Sequence, residues 1–473
     1  MRIAPLNVSI LGMVLALRAA PAGAVTHYVD VNAASPQTPY TNWSRASTNL
    51  QPAIDACAQG DEVLVAPGRY LLTGSKVSIP EGKGIYLKSV ESRAAIIDAQ
   101  RLSPCLDVIG SNSVVEGFTL CNGKNDSYGG GIILSRPGTI RDCLVVSNQA
   151  YGAGGIMFFP WTSRVENCTI RNNIATWGGG AIFYDSSTSV LIHCEILDNI
   201  ASNYAGGVAF QGAGTVISCL ISGNRAILEE GGGGVHMSGG VIINSVICGN
   251  HADQRGGGIY HGGVGGGRIV NCTIVSNSAG TEAGGVMGNT DVSIWNSIIY
   301  FNTAPVNANL TLQGSSAASN CCVTPSPGGS NFTNAPGFLD IVARDFRIAA
   351  GSSCVDAGCT NYAPSFDYHG YYRPADGNLD GFPRFDVGAH EYALDFRPGT
   401  AVSNSNLTLQ WDVINRGGYV VEVCSNIGLK IPEWTRLTGT NYFMGDNPSV
   451  TNYTIHMTAT GVVYRLKALH TPG

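Results

Sequence analysis

Residues 165–182 read VENCTIRNNIATWGGGAI, and residues 191–208 return to the same pattern as LIHCEILDNIASNYAGGV. In each stretch a Cys (Cys168, Cys194) stands two before an aliphatic and five before an Asn, and a Gly-rich step follows. Outward from this pair the Asn recurs as Asn122, Asn148, Asn173, Asn199, Asn224, Asn250, Asn277 and Asn302, 25 to 27 residues apart. Three before most of them stand Val145, Ile170, Ile196, Ile221, Ile247, Ile274 and Ile299. Five before come Cys143, Cys168, Cys194, Cys219, Ser245, Cys272 and Ser297, and eight before Ile140, Val165, Leu191, Val216, Ile242, Ile269 and Ile294. The Gly steps lead into Ile132, Ile156, Ile182, Val208, Val235, Ile259 and Val286.

A fixed period of this length marks a solenoid, in which each unit buries its apolar side only by stacking on its neighbours. The apolar runs are short and alternating, separated by Asn and Gly, so they read as strands and turns. The fold class is all-β: a parallel β-solenoid whose coils stack about 4.8 Å apart. Inward aliphatics make the core, at about 1.5–3 kcal/mol per buried side chain. Asn is expected where the chain turns left-handed, and Cys as a small inward residue. Stacked Cys point in parallel, so the column reads as packed thiols rather than disulfides. Cys321, Cys322, Cys354 and Cys359 are the exceptions whose closeness suggests local bridges.

Composition agrees. The 473 residues include 62 Gly and only 13% charged side chains, with net charge −6. Twenty-seven Lys and Arg spread thinly make no basic patch, so nucleic acid is not an expected partner. Residues 1–24 read as a secretory signal peptide: Arg2, an apolar run Val8–Leu17, and the small-residue site Ala22-Gly23-Ala24. No later apolar run is long enough to span a membrane. The expected location is outside the cell or on its surface.

Ile170 to Asn173 followed by Gly179 to Ile182 resembles the paired GGAI and FxxN repeats of the chlamydial polymorphic outer membrane proteins, with an aliphatic in place of Phe. More widely, residues 25–392 resemble bacterial right-handed parallel β-helix proteins of the pectate-lyase-like superfamily, which implies a right-handed coil. Gln51–Ala58 is expected to cap the open N-terminal end as a helix. Residues 334–392, with Asp345-Phe346-Arg347-Ile348 and Asp386 to Tyr392, resemble the choice-of-anchor Q domain, which often ends such helices. The expected division is therefore 1–24 signal, 25–333 β-helix with its cap, 334–392 its C-terminal end, and 393–473 a small antiparallel β-sandwich.

The superfamily's polysaccharide lyases imply Ca²⁺ held by carboxylates and an Arg or Lys base. No Lys occurs from Asn125 to Leu429, which leaves Arg. Glu229, Arg255 and Glu282 each fall five after a repeat Asn, beside Glu230, Asp253 and Arg225. They form the candidate catalytic column, with an exposed charge ladder as the bland alternative. Tyr151, Trp177 and Tyr204, three to five after their Asn, form a candidate stacking strip for sugar rings. Asp376, Asn378 and Asp380 open like a Ca²⁺ loop, with Asp386 and Glu391 as further oxygens, but Val387 stands where an EF-hand requires Glu. His236, His251 and His261 cluster in adjacent coils, and His261 is expected in an inward column with Phe158, Tyr184, Phe210 and Met237. The expected function is an exported protein that binds polysaccharide or mediates adhesion without catalysis. The alternatives are a Ca²⁺-dependent uronate lyase and a structural spacer.

Overall fold

The computed structural model describes residues 23–392 apart from 186–187, 229–230, 264, 379 and 381, and beyond 392 only the backbone of strands. Most of residues 1–24, expected to be a signal segment, and Glu229 and Glu230 therefore lie outside the described residues. One coil shows the unit. Arg164–Glu166 lies in sheet A, Thr169–Arg171 in sheet B, Ile174–Ala175 in sheet D and Ala181–Phe183 in sheet C, and Val190–Ile192 returns to sheet A. Sheets A, B, C and D contain twelve, eleven, ten and seven parallel strands, each paired with the equivalent strand of the next coil. The coil is right-handed, the sense that strand twist favours in parallel crossovers. Regular stacking starts earlier than the Asn series: Thr26–Val29 opens sheet A, and Cys322–Val323 closes sheet B.

Register explains the columns. Val165 pairs with Leu191, Ile170 with Ile196 and Cys143 bonds Cys168, so the apolar columns stack inward and are fully buried. Sheet C carries a stack of rings, Phe158 on Phe183 on Phe210, with centroids 4.6 and 4.9 Å apart. Two expectations shift by one residue here. The inward ring is Phe183, not Tyr184, and Ala181 rather than Ile182 continues the Ile156–Val208 column, so Ile182 faces outward with Met157 and Ala209. His261 does stack inward, on Met237.

The Asn column is also displaced from its expected role. Left-handed backbone falls one residue earlier, at Ser147, Asn172, Asp198, Gly223, Gly249, Ser276 and Phe301. The repeat Asn is buried and forms a ladder. Asn173 donates from both N and Nδ2 to Asn199 Oδ1 (3.0 and 2.9 Å), and Asn199 does the same to Asn224 (both 3.0 Å). Each Nδ2 also donates to a carbonyl of the previous coil, as Asn199 does to Ile170 (2.9 Å). Asn122 is a turn residue with φ 55°, and Gly123 occupies its ladder place, donating to Asn148 Oδ1. The thirteen described cysteines are free. Cys322 meets Cys354 side chain to side chain, rather than either forming a local pair with Cys321 or Cys359.

The N-terminal end is covered by helix α1, Leu50–Ala56, which buries Leu50, Ala53 and Ile54. Residues 338–392 lie along the outer face of sheet B. The hairpin Phe338–Asp340/Asp345–Ile348 leads in, and Phe346, Ile348, Cys354, Val387 and Ala389 pack on Val246, Cys248, Val275 and Ile298. A second asparagine column at the turn from sheet A to sheet B grips this segment. Asn271 Nδ2 donates to the Asp386 carbonyl (2.9 Å), and Asn296 Nδ2 to that of Cys359 (2.8 Å), with Asn244 bonded to Phe366. Beyond residue 392 the strands Asn406–Asp412 and Val450–His456 pair antiparallel, as do Gly418–Cys424 and Val463–Leu469.

Candidate functional site

The candidate catalytic column divides into two ion pairs on the solenoid surface. Arg225 and His251 occupy successive strands of sheet D. Asp253 turns back onto both: Arg225 Nε and Nη2 donate to it at 3.0 and 2.9 Å, and His251 Nε2 lies 3.1 Å from Oδ1. The hydrogen bond to Asp253 raises the Arg225 pKa, the wrong direction for a base, which must give up its proton. Arg255 Nε lies 4.0 Å from Glu282, whose other oxygen accepts from Thr311 Oγ1 (2.9 Å).

The aromatic strip is contiguous. Tyr151 and Trp177 centroids are 5.1 Å apart, and Trp177 and Tyr204 6.1 Å. Trp177 and Tyr204 are half-buried because, with Tyr128, Phe159 and Tyr184, they roof the outward apolar column Met157–Ile182–Ala209. Tyr151 alone stands 48% exposed. His236 continues the roof between Tyr204 and Tyr260, and its buried Nδ1 has no partner.

The acidic loop is closed on itself. Asp380 N–H donates to Asp376 Oδ1 (3.1 Å) and Asn378 Oδ1 (2.9 Å), Phe382 N–H to Asp380, and Arg384 Nη1 lies 3.3 Å from Asp380 Oδ2. Asn378 N–H donates to Asp356. Asp386 and Glu391 lie deeper, around Arg373, whose side chain is fully buried 3.5 Å from Glu391. Burial, then the neighbouring Glu391, pushes the Asp386 carboxyl up to about 8. Their oxygens accept backbone N–H groups of Asp356, Tyr392, Ala375 and Asp386, so this network fixes the flanking segment. Among the described residues only His27, Cys57 and Asp61, under α1, bring metal-ligating atoms within 4.8 Å of one another.

A cleft that the sequence reading did not identify lies where residues 343–390 cross sheet B. It encloses about 400 Å³, inside the range of small-molecule sites. The floor is the outward face of sheet B, Leu220, Ser222, Val246 and Cys248, and the wall carries Arg344, Asp345, Arg347, Tyr368, His369 and His390. Arg344 Nη1 donates to Ser222 Oγ (3.2 Å), while Arg347 makes a fork to Asp345 (2.8 and 2.6 Å). The Arg347 bonds hold the Asp345 carboxyl below its usual range. The His390 ring lies against that of His369, centroids 4.9 Å apart and planes tilted by 31°. Burial, reinforced by the charges of His369 and Arg373, pushes His390 down to about 3. It is a neutral imidazole with a buried, unpartnered Nδ1. His369 is exposed at the rim. Cationic guanidinium groups over a polar and apolar floor, beside an accessible imidazole, can hold a carboxylated ligand and accept a proton from it.

A signal for this cleft does exist in the sequence. Outward positions of sheet B are Leu144, Val146, Thr169, Arg171, Glu195 and Leu197 in the earlier coils, then Leu220, Ser222, Val246, Cys248, Thr273, Val275, Ile298 and Tyr300. Charge leaves the face after Glu195, and an uncharged, largely apolar face is a candidate for being covered.

No family model matches this sequence, and no curated protein matches it. The chlamydial and choice-of-anchor resemblances thus stand on their quoted residues alone. Among solved structures the chain is similar in fold to pectate lyase Pel9A, with 15% identity, TM-score 0.55, and coverage of 78% of this chain and 98% of that one. A weaker likeness, TM-score 0.34 at 11% identity over 94% of this chain and 84% of the other, is to tailspike protein gp49 from Acinetobacter baumannii bacteriophage Fri1, a capsular polysaccharide depolymerase. At 15% identity the likeness to the lyase is one of fold alone: a right-handed parallel β-helix.

Proposed function

We propose that this protein works outside the cell on an acidic polysaccharide, which it binds and cleaves by β-elimination in the cleft between sheet B and residues 343–390. The observation that carries this reading is the cleft wall, where Arg344 and Arg347 stand with the exposed imidazole of His369 over a floor of Leu220, Ser222, Val246 and Cys248. A uronate carboxylate placed on the Arg344 guanidinium, with Arg347 paired to Asp345 alongside, is neutralised, and the neighbouring C5–H becomes more acidic. His369 takes that proton, the C–H electrons form the C4=C5 double bond, the C4–O bond breaks, and the leaving oxygen is protonated from solvent. His390 stays neutral behind His369, so the pair adds no second positive charge at the base. The alternative base Arg225 is held protonated by Asp253. Among the described residues no helix is long and apolar enough to cross a membrane.

The test is ultraviolet absorbance of the unsaturated product over a panel of uronate polysaccharides, with and without Ca²⁺. Product formation lost in both Arg344→Ala and His369→Ala supports the cleft. Product that persists in both moves the chemistry elsewhere. A second reading, glycan retention without cleavage, is favoured by the contiguous Tyr151–Trp177–Tyr204 strip. It predicts retention on an immobilised glycan that falls in Tyr151→Ala.

A further inference from the structure

The N-terminal end of the solenoid is organised around one carboxylate. Asp61 is buried, and its Oδ1 accepts the Val25 N–H at 2.8 Å, just ahead of the first strand of sheet A. Its Oδ2 accepts the Ala58 N–H (2.7 Å) and faces His27 Nε2 at 3.2 Å. His27 Nδ1 lies 2.6 Å from the Pro39 carbonyl, so Nδ1 carries a proton. Burial alone would raise the Asp61 pKa, but the donors from Val25, Ala58 and His27 outweigh it and hold the group ionised. Cys57, the remaining neighbour, stays a thiol, pushed up to about 12 by burial and then by Asp61.

Val25 is also the residue that follows the small-residue site Ala22-Gly23-Ala24. Gly23 is exposed with φ 103°, and nothing lies within 4 Å of where a Cβ would stand, so the chain at Gly23 is open to an enzyme. Val25 itself is 43% exposed, whereas His27 is buried, so the boundary between accessible chain and packed chain falls at this point.

We propose that export processing hydrolyses the Ala24–Val25 bond and that the α-ammonium so created docks on Asp61, fixing the first coil. In the step, a leader peptidase adds water across the amide. Ala24 keeps the new carboxylate, and Val25 takes the amine, which is protonated at neutral pH. The nitrogen that now offers one neutral N–H to Oδ1 then offers three donors and a full charge, and charge-assisted bonds are roughly twice as strong as neutral ones. Removal of the leader thereby strengthens the first coil of the solenoid.

The test uses the full chain expressed with its leader in an exporting bacterium. The intact mass of the product should correspond to a chain starting at Val25. Protein starting at Val25 should melt roughly 1–2 °C above one starting at Ala24, and Asp61→Asn should abolish that difference. If Asp61→Asn does not fold, acylation of the Val25 amine decides: it should be about tenfold slower in native than in urea-unfolded protein, the factor of one pKa unit. Another starting residue, equal melting, a difference that survives Asp61→Asn, or equal acylation rates would overturn the proposal.

Discussion

Replacing Asn199 with Ala cuts the asparagine ladder at its middle. Four hydrogen bonds go: two from Asn173 into Oδ1, and two from Nδ2 to Ile170 and Asn224. The Asn173 N–H and the Ile170 carbonyl are left buried without those partners, while Asn173 Nδ2 keeps the Val145 carbonyl and Asn224 Oδ1 keeps the Asn199 backbone N–H. At about 1–3 kcal/mol per orphaned group, relieved in part by relaxation, the expected loss is about 4 kcal/mol. The neighbouring Asn172 is the control, since it is exposed and contributes a left-handed turn with φ 55°. Asn172→Ala should cost only about 1 kcal/mol, the strain of Ala in that conformation. Guanidinium unfolding followed by circular dichroism on the mature chain measures both. Equal costs, or a cost below about 1 kcal/mol for Asn199→Ala, would refute the ladder as the chief polar support of the coil.

Burial holds His236 down at about 4, so the unfolded chain binds its proton between that value and about 6.5 while the folded chain does not. Stability should therefore fall as pH drops from about 6.5 towards 4. His236→Phe, which removes a partnerless Nδ1, should flatten that fall and melt no lower than wild type at pH 7; a lower melting point there would contradict the burial argument. Alkylation with peptide mapping of the native protein should modify Cys121 and Cys359 first among the thirteen described thiols, because only they are partly exposed. Rapid modification of Cys168 or Cys194 would mean the column is not packed. Arg225→Ala, which leaves Asp253 with His251, should change glycan cleavage by less than about twofold in a product assay, the scale of a surface ion pair.

The period, the all-β solenoid and the inward columns were legible because a stacked coil repeats each environment once per turn. Offsets of one residue were harder to read. Asn172 and Asn173 are adjacent and identical, and only the backbone reveals which turns left-handed and which bonds the next coil. Phe183 and Tyr184 are both aromatic neighbours of a Gly-rich step, and their faces depend on where the preceding loop ends. The charged column drew attention because Arg225, Arg255 and Asp253 repeat with the coil. The cleft did not, because its wall comes from Arg344 to His390, outside the repeat and folded back along the flank by Asn244, Asn271 and Asn296. Its floor was nonetheless written in the loss of charge on the outward face of sheet B after Arg171 and Glu195.

The most direct measurement of the proposed function is the rate of unsaturated-product formation from uronate polysaccharides by wild type, Arg344→Ala and His369→Ala, each verified as folded by its melting curve. Cleavage by wild type with at least about a hundredfold loss in each variant, the scale of a general base or a charge clamp, is the expected result. Folded variants that cleave like wild type, or a wild type inert on every uronate offered, would contradict the cleft as a lyase site.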